Sequence, residues 1–426
     1  MRRKTRKKIN KVLIVISLIF IIIILGVIIA ILIKLSKTPP VSYDDNLVGK
    51  NYFKEISIDL SKNEIKRDDK TTTLQEEFDI SDERASLVLN SKEELMNFLS
   101  ESSFVITEEN NVIKLTNPYQ TKCFIVEANE IEEKVDGEEI NEIQDDLYIL
   151  SFYSEKLTKA MYNYYKDKQY IKNIFYDEVF INTTINDISQ TMYGQTQVDL
   201  ANYKSLGVTS MGLNNYQKII NENGNQKEVV ISTIGYGINT QNEIFKDRLT
   251  DNYYNFIADN KQIPETIEQG SRIAEVLVDS TTSNVKLMPL VVIDEEGYTS
   301  ISSIIKAIAY SVQNADVTCF ELVCEEKKAI DLSLEKAFKE NLPVCVVSTI
   351  EENYPANHGM TIAVSSLDRE LNTTDYSARG EFIDFAASST DVAEIFNPNS
   401  TVSRWSGPRI FKCSNCCIYC INKNLQ

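Results

Sequence analysis

One histidine, eight cysteines and 62 carboxylates are the raw material for chemistry in this 426-residue sequence. His358 stands alone in the turn-like Asn357-His358-Gly359, so metal sites built on paired histidines are excluded. A lone histidine is more often structural than catalytic. No Gly-x-Ser-x-Gly elbow is present, nor a phosphate loop ending in Gly-Lys-Ser/Thr. Cys345 lies within the apolar run Pro343–Val347 and reads as a buried, unreactive thiol. His358 could serve Ser365 or Ser366 as a base only if the fold brought them together, and nothing in the sequence does so. Asp294-Glu295-Glu296 precedes Gly297 and reads as a solvated turn. Gly235-Tyr236-Gly237 follows an apolar strand, where a dinucleotide fingerprint would begin. Position 240 is Thr, however, and Gln241–Phe245 is a poor start for a phosphate-facing helix, so nucleotide binding is rejected. No cofactor is expected.

The elements that must position these residues begin beyond a membrane signal. Arg2 to Lys11 carry seven positive charges, and 22 uncharged residues follow, Val12 to Ile33. As a helix that run is about 33 Å long, enough for a bilayer core. The basic end stays in the cytoplasm, which places the bulk of the chain outside, at the plasma membrane as a single-pass protein. A cleaved signal peptide has a shorter apolar stretch and a small-residue cleavage site, and Lys34-Leu-Ser-Lys-Thr-Pro-Pro40 supplies none. The first 37 residues hold nine of the 44 basic and none of the acidic residues, leaving a net charge of −27 on the rest. So acidic a surface argues against nucleic acid as a partner.

Residues 34–84 are polar and read as a tether. A compact α+β domain of ferredoxin-like type is expected over 85–182. In it Ser86–Leu89 reads as a strand, and Ser91-Lys-Glu-Glu94 opens a helix through Leu99 with capping-box spacing. Strands follow near 112–115, 123–128 and 147–153. Ser154 caps a second helix, Glu155–Tyr165, and Asn173–Phe180 closes the sheet. From about residue 200 to 426 the pattern changes. Apolar runs without polar alternation (Val229–Ile234, Val285–Ile293, Val317–Val323, Pro343–Ile350, Thr361–Ser365) alternate with amphipathic stretches such as Ser302–Gln313 and Leu332–Glu340. Strands buried on both faces belong to a parallel sheet with crossover helices, so an α/β doubly wound domain is expected.

In order, SLGVTSMGL (205–213), VVISTIGYGIN, EQGSRIAEVL, VKLMPLVVIDEEG, ADVTCFEL, NLPVCVVSTI, YPANHGMTIAVSSLD, DYSARGEFIDFAAS and RWSGPR resemble successive blocks of the subtilisin-like serine protease (subtilase) family. The α+β domain before them resembles that family's propeptide, best over 148–180. The resemblance implies a serine endopeptidase fold. It also implies a triad in which Asp orients His and His activates Ser. At the positions it assigns, this chain has Gly235 for Asp, Arg272 for His and Arg409 for Ser, with Ile350 for the oxyanion-hole Asn. Arginine stays protonated and cannot act as a base, glycine has no side chain, and isoleucine donates no hydrogen bond. The expectation is therefore a pseudoenzyme, its propeptide still attached, that binds peptide or protein partners in the retained cleft. The alternatives are an active serine endopeptidase with atypical residues and a truncated gene product without a function.

The tail IFKCSNCCIYCINKNLQ stands where the family continues into a long helix, so the peptidase domain is expected to be incomplete at its C-terminus. Cys413, Cys416, Cys417 and Cys420 fall on one helical face. Their repeated Cys-x-x-Cys spacing is compatible with a metal site, but the pairs are nearly contiguous, unlike zinc modules. A frameshift is the favoured reading, an unusual natural tail the next, and no metal is expected.

Overall fold

The computed structural model describes residues 56–406, apart from 60–63, 68–69, 76–79, 90, 101–104, 110, 117–119, 133–137, 183–190, 198–212, 224–226, 264–267, 349–352, 369, 376, 389–391 and 395–400. Val12–Ile33, Ile350, Arg409 and the four tail cysteines lie outside the described residues. Among those described, no helix is long and apolar enough to cross a membrane.

Structure begins earlier than expected. Strands β1 (Ile56–Asp59), β2 (Glu64–Arg67), β3 (Lys70–Thr72), β4 (Val105–Glu109) and β5 (Val112–Thr116) form an antiparallel sheet in the order β3-β2-β1-β5-β4. Part of the polar stretch read as a tether therefore belongs to a folded unit. Alternation buries Ile56, Ile58 and Ile65 against Leu95 and Leu99, although the stretch as a whole is too charged to look like core. Ser86–Leu89 is not a strand but part of helix α1 (Asp82–Leu89). Ser81 caps that helix by accepting from the Arg84 amide, and Ala85 and Val88 are buried at i, i+3. Helix α2 (Lys92–Ser100) starts as expected, with the Ser91 hydroxyl accepting from the Glu94 amide.

The next unit pairs β6 (Cys123–Ala128), β7 (Glu138–Gln144), β8 (Leu147–Phe152) and β9 (Ile171–Tyr176) in the antiparallel order β7-β8-β6-β9. Helix α3 (Glu155–Tyr165) covers one face and is capped by Ser154, whose hydroxyl accepts from the Leu157 amide. The span 85–182 thus holds two sheets, not one: 112–116 belongs to the first, and the expected strand Asn173–Phe180 divides after Tyr176. Alternate residues of β6 and β8 serve two cores. Phe124, Val126, Leu150 and Phe152 face α3, whereas Cys123, Ile125, Leu147 and Ile149 face away from it. Both faces are covered, which is why these strands read as continuous apolar runs.

The third unit is a seven-stranded sheet in which every described pairing is parallel. Its strands are β12 (Val229–Gly235), β13 (Tyr254–Asn255), β14 (Val285–Val291), β16 (Val317–Phe320), β17 (Val344–Val347), β18 (Ile362–Leu367) and β19 (Phe385–Ser388). They lie in the order β13-β14-β12-β16-β17-β18-β19. Helix α5 (Glu268–Ser280) packs on one face through Ile273, Ala274 and Leu277. Helices α6 (Ile301–Asn314) and α7 (Lys328–Lys339) pack on the other. The doubly wound architecture is as the sequence implies. Helix α4 (Leu213–Asn223) precedes β12, and β11 (Thr191–Gln197), β20 (Val392–Glu394) and β21 (Thr401–Ser406) form a small antiparallel sheet.

The second unit docks on α6 and α7, whose Ile301, Ile304, Ile305, Ile308, Ile330 and Leu334 share one core with Cys123, Ile125, Leu147 and Ile149. Strand β10 (Val179–Ile181) crosses over to pair with β15 (Tyr298–Ser300). Asp177, fully buried, accepts from the amide and the hydroxyl of Ser302, both at 2.6 Å, in the first turn of α6. Lys327–Glu178 at 2.6 Å and Ser333 to Gln144 at 2.8 Å complete the polar ties.

Candidate functional site

The connections that follow the neighbouring strands β12 and β16 run in opposite directions. From β12 the chain goes to β13 and through α5 to β14 on one side, and from β16 it goes through α7 to β17 on the other. At such a switch point the helices diverge and leave a crevice outside the carboxyl ends of the strands, where open α/β sheets bind ligands. Gly235 ends β12 at this point, and Glu321 directly follows β16.

These two residues interlock. The Glu321 amide donates to the Ile234 carbonyl at 2.9 Å, which holds the end of β16 against β12. The Glu321 side chain then folds over Gly235. A β-carbon built on Gly235 would stand 2.3 Å from Glu321 Oε2 and 2.7 Å from its Cβ and Cδ. Oε2 also accepts from the Tyr236 amide at 3.4 Å. Glu321 is 6% exposed, so its carboxylate is largely withdrawn from water at the strand edge. On the other flank, a β-carbon on Gly270 would meet the Gly237 carbonyl oxygen at 2.3 Å. The first turn of α5 is thus seated directly on Tyr236 and Gly237, and the Asn239 amide donates to Ser271 Oγ at 2.8 Å.

Of the residues the resemblance assigns to the triad, the structure describes Gly235 and Arg272. Gly235 lies at the switch point. On α5 the residue that meets 236–237 is Gly270, and Arg272, half-buried, follows two residues on, about 200° around the helix. Ile273, Ala274 and Leu277 are the residues of this helix that meet the sheet.

His358 is held elsewhere. Its amide donates to the Pro355 carbonyl at 3.0 Å, and its Nε2 lies 3.7 Å from Asp331 Oδ1 on α7. Ser365 Oγ is hydrogen-bonded instead to the Ser377 hydroxyl and the Ala378 carbonyl. Asn353, beyond the end of β17, donates from Nδ2 to the Val347 carbonyl at 3.1 Å. Asp294 departs from the solvated turn expected of it. It is buried, and its Oδ1 accepts from the Glu296 and Tyr298 amides at 2.9 and 2.8 Å, tying the turn in which Gly297 takes φ 90°. Glu295 and Glu296 are exposed, as expected.

Cys345 is fully buried in β17, beside Cys319 of β16. Cys123 and Cys324 are buried too; burial pushes the Cys324 thiol up to about 12 and the Cys123 thiol well above its usual range. A thiol with so little thiolate is a poor nucleophile. On native protein at pH 8, iodoacetamide is expected to leave Cys123, Cys319, Cys324 and Cys345 unmodified, and to label all four in denaturant. Peptide mapping checks this; rapid native labelling of Cys345 would reopen the nucleophile question.

Glu321 escaped the sequence reading. The signal was a carboxylate placed directly after the fully buried run Val317–Phe320, where a strand meets the ligand-binding edge. No group of three or more His, Cys, Asp or Glu that could hold a metal ion occurs among the described residues.

No protein-family model matches the chain, and no curated protein matches it. Among solved structures, a cold-adapted subtilisin-like serine proteinase is similar at 17% identity and a TM-score of 0.42. The match covers 46% of this chain and 76% of that one. The likeness is too distant to give any residue a role.

Proposed function

We propose that this chain is a catalytically inactive member of the subtilisin-like peptidase group, which binds a peptide or protein partner at the carboxyl edge of its parallel sheet. One observation carries the reading. The sequence contains a single histidine, and its ring nitrogen lies beside Asp331 on α7, with no serine, threonine or cysteine hydrogen-bonded to the ring among the described residues. A serine nucleophile needs a neighbouring base. Gly235, which the resemblance puts in the place of the orienting aspartate, offers no side chain, and the space above it is taken by Glu321. The apolar run Val12–Ile33 anchors the protein in the bilayer in this proposal, with the folded units outside the cell.

The test is a peptidase assay of the purified full-length chain in detergent against a mixture of unstructured peptides, with active-serine labelling in parallel. No turnover and no covalent label are expected. Hydrolysis that disappears on replacing one serine would overturn the proposal. For the anchor, alkaline carbonate is expected to leave the full chain in the membrane pellet and to release residues 35–426 expressed alone. Release of the full chain would remove the anchor from the proposal.

A further inference from the structure

We infer that the outer face of α3, with the residues flanking it over 153–172, is a membrane-docking surface whose lysines and tyrosines rest on the headgroups of an anionic lipid bilayer. The inference rests on the anchored reading above and adds a second, peripheral contact with the same membrane.

Charge singles the segment out. The chain beyond residue 37 has a net charge of −27, yet residues 153–172 carry five lysines against only Glu155 and Asp167. The helix turns this charge outward. Thr158 and Tyr165 are its buried residues, and it packs on Phe124, Leu150 and Phe152. Lys156, Ala160, Asn163 and Tyr164 are exposed along the opposite face, followed by exposed Lys166. The other side of the four-stranded sheet is covered by α6 and α7, so α3 is the outermost layer on its own side. Two tyrosines accompany the lysines. Tyr153, just before α3, is 68% exposed, and Tyr164 lies under Lys168, whose Nζ is 3.9 Å from the ring centre. Lys172, at the far end, pairs with Asp146 at 2.9 Å. Tyrosine rings settle at the headgroup level of bilayers, and each lysine near an anionic surface strengthens binding about fivefold. The occupant follows from the path of the chain. In the anchored reading it leaves the bilayer after Ile33 and enters β1 at Ile56, and the 22 residues between span at most about 75 Å. The unit it enters adjoins α3, because Lys159 Nζ lies 3.5 Å from the Ser100 carbonyl at the end of α2. Tethering therefore holds the bilayer near this face at an effective concentration that a free polyanion does not match.

The experiment reconstitutes the full-length chain into vesicles of phosphatidylcholine, alone or mixed with phosphatidylglycerol, and footprints its lysines with a membrane-impermeant acetylating reagent. Labelling of Lys156 and Lys166 is expected to slow on the order of fivefold on the anionic vesicles and to recover in high salt. Lys218 of α4, whose side chain is 73% exposed, is expected to label alike on both and serves as the reference. In the variant Lys159→Gln, Lys166→Gln, Lys168→Gln, Lys156 is expected to label on anionic vesicles at nearly the neutral-vesicle rate. Equal labelling of Lys156 and Lys166 on the two vesicles overturns the inference, as does protection of Lys156 that survives the triple variant. Protection by soluble polyphosphate but not by phosphatidylglycerol overturns it too, in favour of a free polyanion. Flotation with the neutral vesicles reports the anchor separately. A chain that floats with them but shows no protection on the anionic ones loses this inference alone. A chain that does not float loses the anchored reading, and this inference with it.

Discussion

Gly235→Ala is expected to cost about 3 kcal/mol, the upper end of what overpacking a core costs, and to reduce the soluble yield of the protein. The magnitude follows from weighing two effects. Alanine restricts the unfolded chain more than glycine does, which by itself stabilises by about 0.5–1 kcal/mol where the backbone conformation suits it. Against that stands the collision with Glu321. The contact at 2.3 Å involves a carboxylate oxygen that can swing away, but the contact at 2.7 Å involves Cβ, which no rotamer moves. The ends of β12 and β16 would have to part, although they are joined by the Glu321 amide to the Ile234 carbonyl and by the pairing of Ile234 with Phe320. The strain therefore falls on the middle of the sheet. A diagnostic pair sharpens the prediction. Glu321→Ala keeps the offending Cβ and is not expected to rescue Gly235→Ala, whereas Glu321→Gly removes it and is. Urea denaturation of the four proteins checks this, and a Gly235→Ala protein as stable as the parent would mean that Glu321 does not lie over Gly235.

Asp177→Ala is expected to cost about 2–4 kcal/mol and to loosen the docking of the four-stranded unit before the parallel sheet itself unfolds. The alanine would leave the Ser302 amide and the Cys123 thiol, which donates at 3.0 Å, without an acceptor in a buried interface, and would leave the Ser302 hydroxyl only Ser300 Oγ at 3.1 Å. It would also remove a negative charge from the positive end of the 14-residue helix α6. Asp177→Asn keeps an acceptor and is expected to lose roughly half as much. Burial pushes the Asp177 carboxyl above its ordinary value of 3.8, while the bonds from Cys123 and Ser302 oppose the rise. A carboxyl that holds its proton more tightly when folded gives up stability as pH rises from about 3.8 through its folded value. The asparagine variant has no such titration, so its deficit should be larger near pH 3.5 than at pH 7. Hydrogen exchange resolved by segment checks the order of opening. Equal loss of protection in β6 and β12 would refute a docking role.

Docking also bears on whether the four-stranded unit could separate. Cys123, Ile125, Leu147 and Ile149 are each essentially inaccessible against α6 and α7. Exposing a buried aliphatic side chain costs about 1.5–3 kcal/mol, and both sides of the interface would be exposed. Together with β10 on β15, these contacts predict that the unit stays docked on the parallel sheet.

The sequence by itself determined the parallel sheet, because strands covered on both faces carry mainly apolar runs without regular polar alternation. Val229–Gly235, Val285–Val291 and Val317–Phe320 carry such runs in one dimension. It determined α2 and α3 through Ser91 and Ser154, since a capping hydroxyl acts within three residues of its partner. It also determined that at most one imidazole could take part in any site. Three things were decided only in three dimensions. Ile56, Ile58 and Ile65 became core because β1 is paired on both sides, by β2 and β5, and no local window contains both partners. Gly270, two residues before Arg272, became the part of α5 that meets 236–237, on a helix whose inward face is set by Ile273, Ala274 and Leu277. Glu321 was brought over Gly235 from 86 residues away along the chain. Its glycine partner could be seen as an empty position in the sequence, but what filled it depended on which strand end lay beside it.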